Sequence, residues 1–208
     1  MTPQEYAYWE RLYRATEYVY GTEPNRYLVA QRHRLRPGME ALSLGDGEGR
    51  NGVWLAAQGL KTTSLDLSPS AVAKAKRLAS LKHVSLHHEC CDALQWNWPV
   101  ERFDIVVSLY FHLSDDHRRM VHRKIVDALR PGGLLVLAGF HVAHAAASSG
   151  NHDAFYTAEL LEADFYDLAI LENLEGLVCL DEGFMHQGSA PVVRLLAQKP
   201  LAAAEVPF

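Results

Sequence analysis

The chain has 208 residues, 49% of them hydrophobic and 22% charged, with a net charge of −5 at pH 7. That is enough apolar material for one sizeable core, but it lacks the basic excess that binding a nucleic-acid backbone demands. No apolar run approaches the roughly 20 residues of a membrane span, so neither nucleic acid nor membrane is expected as a partner.

From the start, Tyr6, Trp9 and Tyr13 recur at helical spacing, so residues 3 to about 19 read as an amphipathic helix with a buried aromatic stripe. Thr22 or Asn25 then caps a second helix ending before Pro37-Gly38. Residues 40–45 form a first strand and 50–59 a helix stopped by Gly59. The segment "KTTSLDL" (61–67) is a second strand. Ser68 and Pro69 then open a helix whose stripe is Ala71, Val72, Ala75, Leu78 and Ala79. "HVSLHH" (83–88) is a third strand and "FDIVVSLYF" (103–111) a fourth, apolar enough to be buried on both faces. Ser114 caps a helix that "RPGG" ends, and "LLVLAGF" is a fifth strand. Thr157 opens a short helix. "DLAILENLEGLVCL" and "PVVRLLAQK" are two last strands, joined by the loop "DEGFMHQGSA" and therefore antiparallel.

Strands alternating with helices and closed by a hairpin give a doubly wound α/β domain with right-handed crossovers. Its ligand belongs at the carboxyl ends of the strands, where the strand order reverses. There the chain reads "LSLGDGEGRNGVWLA", with Gly45, Gly47 and Gly49 between strand and helix. A bare turn at a helix N-terminus lets a ligand approach the backbone closely. Asp66, at the end of the second strand, suits a ribose diol, so the ligand contains a nucleoside. Gly47, Gly49 and Gly52 also satisfy the dinucleotide fingerprint, but Asp46 and Glu48 would repel a pyrophosphate. A sulfonium cofactor with an amino-acid tail tolerates them. Asp92, shortly after the third strand, can accept from an adenine amine, with the Ala93 N–H donating to the ring.

Gly45–Gly49, Asp66, Cys91-Asp92-Ala93, "FDIVVSLYFHL" and "LRPGGLLVLAGF" together resemble the successive motifs of class I S-adenosylmethionine-dependent methyltransferases. The resemblance covers about residues 38–200 and leaves 1–37 as an N-terminal helical lid segment. It implies a Rossmann-like seven-stranded sheet of order 3-2-1-4-5-7-6 with strand 7 antiparallel, and S-adenosyl-L-methionine as cofactor. The cofactor contacts it implies are Gly45, Asp46, Gly47, Gly49, Asn51, Asp66, Leu67, Asp92, Ala93 and Leu109; Asp46 stands where family members often carry Cys or a small residue. The segments "YWERLYRATEYVYGTEPNRYLV" and "YTAELL…EGFMHQG…VVRLLAQK" are similar to the tellurite-resistance-type and thiopurine-type small-molecule branch.

The function expected is methyl transfer to a small-molecule acceptor, with a soft sulfur, selenium or tellurium centre or an oxyanion among the candidates. A non-catalytic module binding S-adenosylmethionine or S-adenosylhomocysteine is the alternative. Tyr20, His112, His141 and His186 are the candidate catalytic residues, with Tyr110, Phe111 and Arg194 beside them. Trp96 and Trp98 are expected to pack over the adenine end. The 11 histidines show no HExxH pattern, and the His141–His144 and His87–His88 spacings read as site and surface residues, not a metal centre. Three cysteines without a paired framework, and the charged, aromatic start, fit a cytoplasmic monomer or homodimer.

Overall fold

The computed structural model describes residues 2–145 and 155–201. The first half comprises α1 (Pro3–Tyr13), α2 (Arg26–Ala30) running into a 3-10 turn (Gln31–Arg34), β1 (Glu40–Leu44), α3 (Arg50–Ala57), β2 (Lys61–Asp66), α4 (Pro69–Leu81) and β3 (His87–Cys90). The second comprises β4 (Phe103–Leu109), α5 (Asp115–Ala128), β5 (Leu129–Phe140), α6 (Val142–Ala145), α7 (Ala158–Asp164), β6 (Ala169–Glu182) and β7 (His186–Gln198).

The strands make one seven-stranded sheet in the order β3-β2-β1-β4-β5-β7-β6. Strands β1 to β5 pair in parallel, and β7 runs antiparallel to both β5 and β6. This is the order that the sequence resemblance implied. The central strands are buried on both faces. Leu42, Leu44 and Val106 pack on one side with Ile125, Leu161 and Phe165, while Ile105, Val107 and Val136 pack on the other with Leu28 and Leu55. Burying each such aliphatic side chain contributes about 1.5–3 kcal/mol before chain entropy is counted, which is why the central strands are mostly apolar.

The caps follow side-chain chemistry. The Ser68 Oγ accepts from Ala71 N at 3.1 Å, with Pro69 at the first helical position, and the Thr157 Oγ1 accepts from Leu160 N at 3.1 Å. Asn25, not Thr22, caps α2 by accepting from Tyr27 N. Ser114 occupies the N-cap of α5, but its hydroxyl bonds the His117 ring instead of the helix backbone.

Four boundaries differ from the sequence reading. Helix α1 stops at Tyr13, because the chain bends to bury Val19 against Tyr13 and Ala71. Strand β3 begins at His87 instead of residue 83, since Val84 and Leu86 pack on Val53, Leu78 and Ala79 of the helices. "RPGG" does not simply end a helix: it lies within β5, where the register with β4 shifts between Phe103 and Ile105 and Gly132 and Gly133 bond Lys199. Finally, the expected ten-residue loop between β6 and β7 is a three-residue turn, residues 183–185, with Glu182 paired to His186. At Gly183 (φ +70°) a Cβ would lie 2.5 Å from Gly21 N, so the turn packs backbone to backbone on the N-terminal segment.

Candidate cofactor and acceptor site

Parallel strand order reverses between β1 and β4, and two adjoining clefts open at the carboxyl ends of these strands. They measure about 580 and about 480 Å³ and share Trp9, Tyr13, Gly45, Tyr110 and His112. Gly45 has φ +59°, and a Cβ there would lie 2.7 Å from Phe111 Cγ. The phenyl ring at the end of β4 thus rests directly on the bare turn at the end of β1, and any side chain would displace it.

Asp46 turns inward. Its carboxylate accepts from Ser43 Oγ at 2.6 Å, Ser64 Oγ at 2.6 Å and Gly52 N at 2.9 Å. Burial raises its pKa to about 6 against the pull of these donors. The side chain is therefore the internal strut of the turn, while Asp46 still borders the second cleft. Glu48 is also buried, paired with Lys74 Nζ at 2.6 Å and accepting from Tyr20 N at 3.3 Å. Both acids that the sequence set beside the ligand are compensated inside the fold. Gly49 borders neither cleft; it caps α3 and meets Ala75.

The first cleft gathers Gly45, Asp66, Leu67, Asp92 and Ala93. The Asp66 carboxylate accepts from Gly47 N at 2.8 Å and Ser68 N at 2.9 Å. Burial outweighs those bonds and raises its pKa to about 6. Each carboxylate oxygen has two lone-pair directions, so acceptor capacity toward the cleft remains. Trp98 donates from Nε1 to Ala93 O at 2.7 Å and meets Trp96 edge-on, fixing the Asp92–Ala93 turn from behind; neither indole borders the cleft. The expectation that these indoles cover the adenine end is corrected.

The aromatic stripe of α1 is more than buried surface. Tyr6, Trp9 and Tyr13 line the first cleft as its roof. Glu10 anchors that roof by accepting from Ser68 Oγ and Ser70 Oγ, both at 2.6 Å.

The second cleft holds Tyr20, Gly47, Arg50, Asn51, Leu109 and His186. The His186 ring meets Tyr20 and Tyr110 edge-on, with centroids 4.5 and 4.7 Å away. Its Nδ1 lies 3.2 Å from Glu182 Oε2, which also accepts from Arg50 Nη2 at 2.8 Å. Glu182 Oε1 accepts from Asn25 Nδ2 at 2.7 Å. Burial works to raise the Glu182 pKa, but His186 and Arg50 outweigh it and hold it at about 2. His112 stacks on Phe140 at 5.7 Å and borders both clefts.

Three of the four candidate catalytic residues, Tyr20, His112 and His186, are thus brought together. His141 is not, and that expectation is corrected. It lies where β5 turns into α6, its Nδ1 accepting from Ala143 N and its Nε2 3.5 Å from Glu175 on β6. His186 is likewise not on a mobile loop: it is 8% exposed, on a paired strand. Arg194 lies over the Tyr27 ring beside a separate pocket. Arg50 and Glu182 were missed. Arg50 directly follows the glycine turn, a readable signal; Glu182 depends on hairpin register and left none. Among the described residues no group of three His, Cys, Asp or Glu side chains could hold a metal.

Strand order, bare turn and acidic strand ends define a Rossmann-like methyltransferase fold. Residues 41–133 match the family model of a methyltransferase domain. No curated protein matches the chain. Among solved structures, one from work on the conversion of a disulfide bond into a thioacetal group during echinomycin biosynthesis is similar at 21% identity and TM-score 0.76, covering 97% of this chain and 94% of that one. TehB from Haemophilus influenzae is similar at 17% identity and TM-score 0.70, covering 94% and 67%. A SAM-dependent methyltransferase from Methanosarcina mazei is similar at 16% and 0.67, covering 86% and 100%. The methyltransferase domain matched at residues 41–133, together with the fold, supports S-adenosylmethionine-dependent methyl transfer with S-adenosylmethionine as the cofactor.

Proposed function

We propose that the chain methylates a small-molecule acceptor held in the second cleft, with the nucleoside of the cofactor in the first. Asp66 accepts from the ribose hydroxyls, Asp92 and Ala93 read the adenine edge, and Gly45 and Gly47 give the backbone close approach. When bound, the cofactor supplies a methyl group activated on a sulfonium. The residues position the acceptor in line with it, and such positioning contributes roughly 7–11 kcal/mol in favourable cases. Tyr20, Tyr110, His112 and His186 form the acceptor wall. The His186 ring borders the second cleft, with its Nδ1 facing Glu182. A protic acceptor can lose its proton there, and a soft sulfur, selenium or tellurium acceptor needs no such step.

The observation that carries this reading is the roof: Trp9 and Tyr13 border both clefts, and the Tyr13 hydroxyl would meet a Cβ on Gly47 at 2.9 Å. A roofed cleft suits a small acceptor better than a macromolecular side chain. The likeness to TehB and the "EGFMHQG" segment favour the tellurite-resistance-like branch for the acceptor's class.

The test is release of S-adenosylhomocysteine from purified protein given S-adenosylmethionine and a panel of thiols, selenium and tellurium oxyanions, phenols and amines. Release with at least one small acceptor is expected. Tight cofactor binding with no release across the panel, or transfer only to protein or nucleic acid, would overturn the proposal.

A further inference from the structure

Arg50 is 7% exposed and borders the second cleft. Its guanidinium serves Glu182 through Nη2, yet among the described residues the buried Nη1 has no hydrogen-bond partner. Buried donors of this kind are rare, and leaving one unmade is costly. The charge stands close enough to act on the hydroxyls of Tyr13, Tyr20 and Tyr110, all of which line the same cleft. Arg50 is also the first residue of the eight-residue helix α3, whose N-terminal dipole favours an anion. The nearby carboxylates are engaged inside the fold, Asp46 by Ser43 and Glu48 by Lys74, and Asn51 Oδ1 accepts from Asn25 N at 2.9 Å.

We infer that Arg50 Nη1 receives the carboxylate of the cofactor's amino-acid tail. The inference rests on the cofactor being S-adenosylmethionine. It also gives Glu182 a purpose. By holding Nη2, that carboxylate fixes the plane of the guanidinium and leaves the Nη1 edge to the ligand, while its shared oxygen keeps His186 on the acceptor side. Cofactor tail and acceptor wall thus meet at one carboxylate. A carboxylate on the acceptor would offer Arg50 the same chemistry, so the test must separate the two sources.

Calorimetry on the wild-type protein compares S-adenosylhomocysteine with its decarboxylated analogue, which keeps the ammonium and the nucleoside. A charge-assisted bond to Arg50 predicts a preference for the carboxylate of about tenfold to a hundredfold. In Arg50→Gln the two ligands should bind within about twofold of each other. That variant leaves Glu182 buried without its cation, so Arg50→Gln/Glu182→Gln, which removes both charges, is read the same way. A wild-type protein indifferent to the carboxylate would overturn the inference. So would a preference that survives in both variants, because the Nη1 donor then serves another group, the acceptor's carboxylate included. Failure of the wild type to bind either nucleoside would refute the cofactor assignment itself, a separate result.

Discussion

The carboxyl of Asp66 has a pKa of about 6, raised by burial against the opposing bonds from Ser68 N and Gly47 N. In the proposed function a ribose diol donates to it, so only the ionised form would be a full acceptor. Protonation in the free protein therefore competes with binding. With a pKa of about 6, roughly one molecule in eleven is ionised at pH 5 and nearly all are at pH 8, so affinity should fall about tenfold from pH 8 to pH 5. The sign is fixed: affinity is complete above the pKa and is lost as pH falls through it. Adenosine is the suitable probe, since it lacks the amino-acid tail and reports on the first cleft alone. Calorimetry at pH 5, 6, 7 and 8 should show the tenfold loss for adenosine and none for 2′,3′-dideoxyadenosine, which has no diol. Asp66→Asn should bind adenosine about tenfold more weakly at pH 8 and show no pH dependence. Its melting temperature should also drop, because the same carboxylate holds Gly47 N and Ser68 N. Equal pH dependence for the two nucleosides would refute the assignment of Asp66 to the ribose, and so would affinity that is flat from pH 5 to pH 8.

Gly45→Ala should lower both the melting temperature and S-adenosylhomocysteine affinity. The left-handed backbone costs about 1–2 kcal/mol with a Cβ, and Phe111 must also move, so scanning fluorimetry with and without ligand reads both effects. Glu10→Ala removes the bonds to Ser68 and Ser70, worth about 1–3 kcal/mol locally; hydrogen exchange should speed up in α1 while β1 and β4 stay protected. Asp164→Ala strands Arg118 and His122, both buried and each 2.8 Å from its carboxylate, and should cost about 3–5 kcal/mol by denaturant unfolding with little change in ligand affinity.

The sequence by itself determined what depends on neighbours along the chain. Ser68-Pro69 and Thr157 announced their helices because caps are local hydrogen bonds. The apolar Ile105–Val107 run of β4 announced a central strand because both of its faces are buried. The glycine turn with Asp66 and Asp92 could be read because strand ends in this fold converge on one edge. The tertiary structure decided what depends on residues far apart. His186 looked like a loop histidine because its strand pairing needs the tight turn at Gly183, which packs on Gly21 more than 150 residues earlier. Tyr6, Trp9 and Tyr13 carried a legible helical stripe, but only Glu10 reaching Ser68 and Ser70 makes that stripe a roof. Asp46 and Glu48 looked ligand-facing until Ser43, Ser64 and Lys74 were seen to compensate them. Spacing along a chain fixes which side chains share a face. Which of them meet a partner across the sheet is set by packing, and there the burial of charge decides the role.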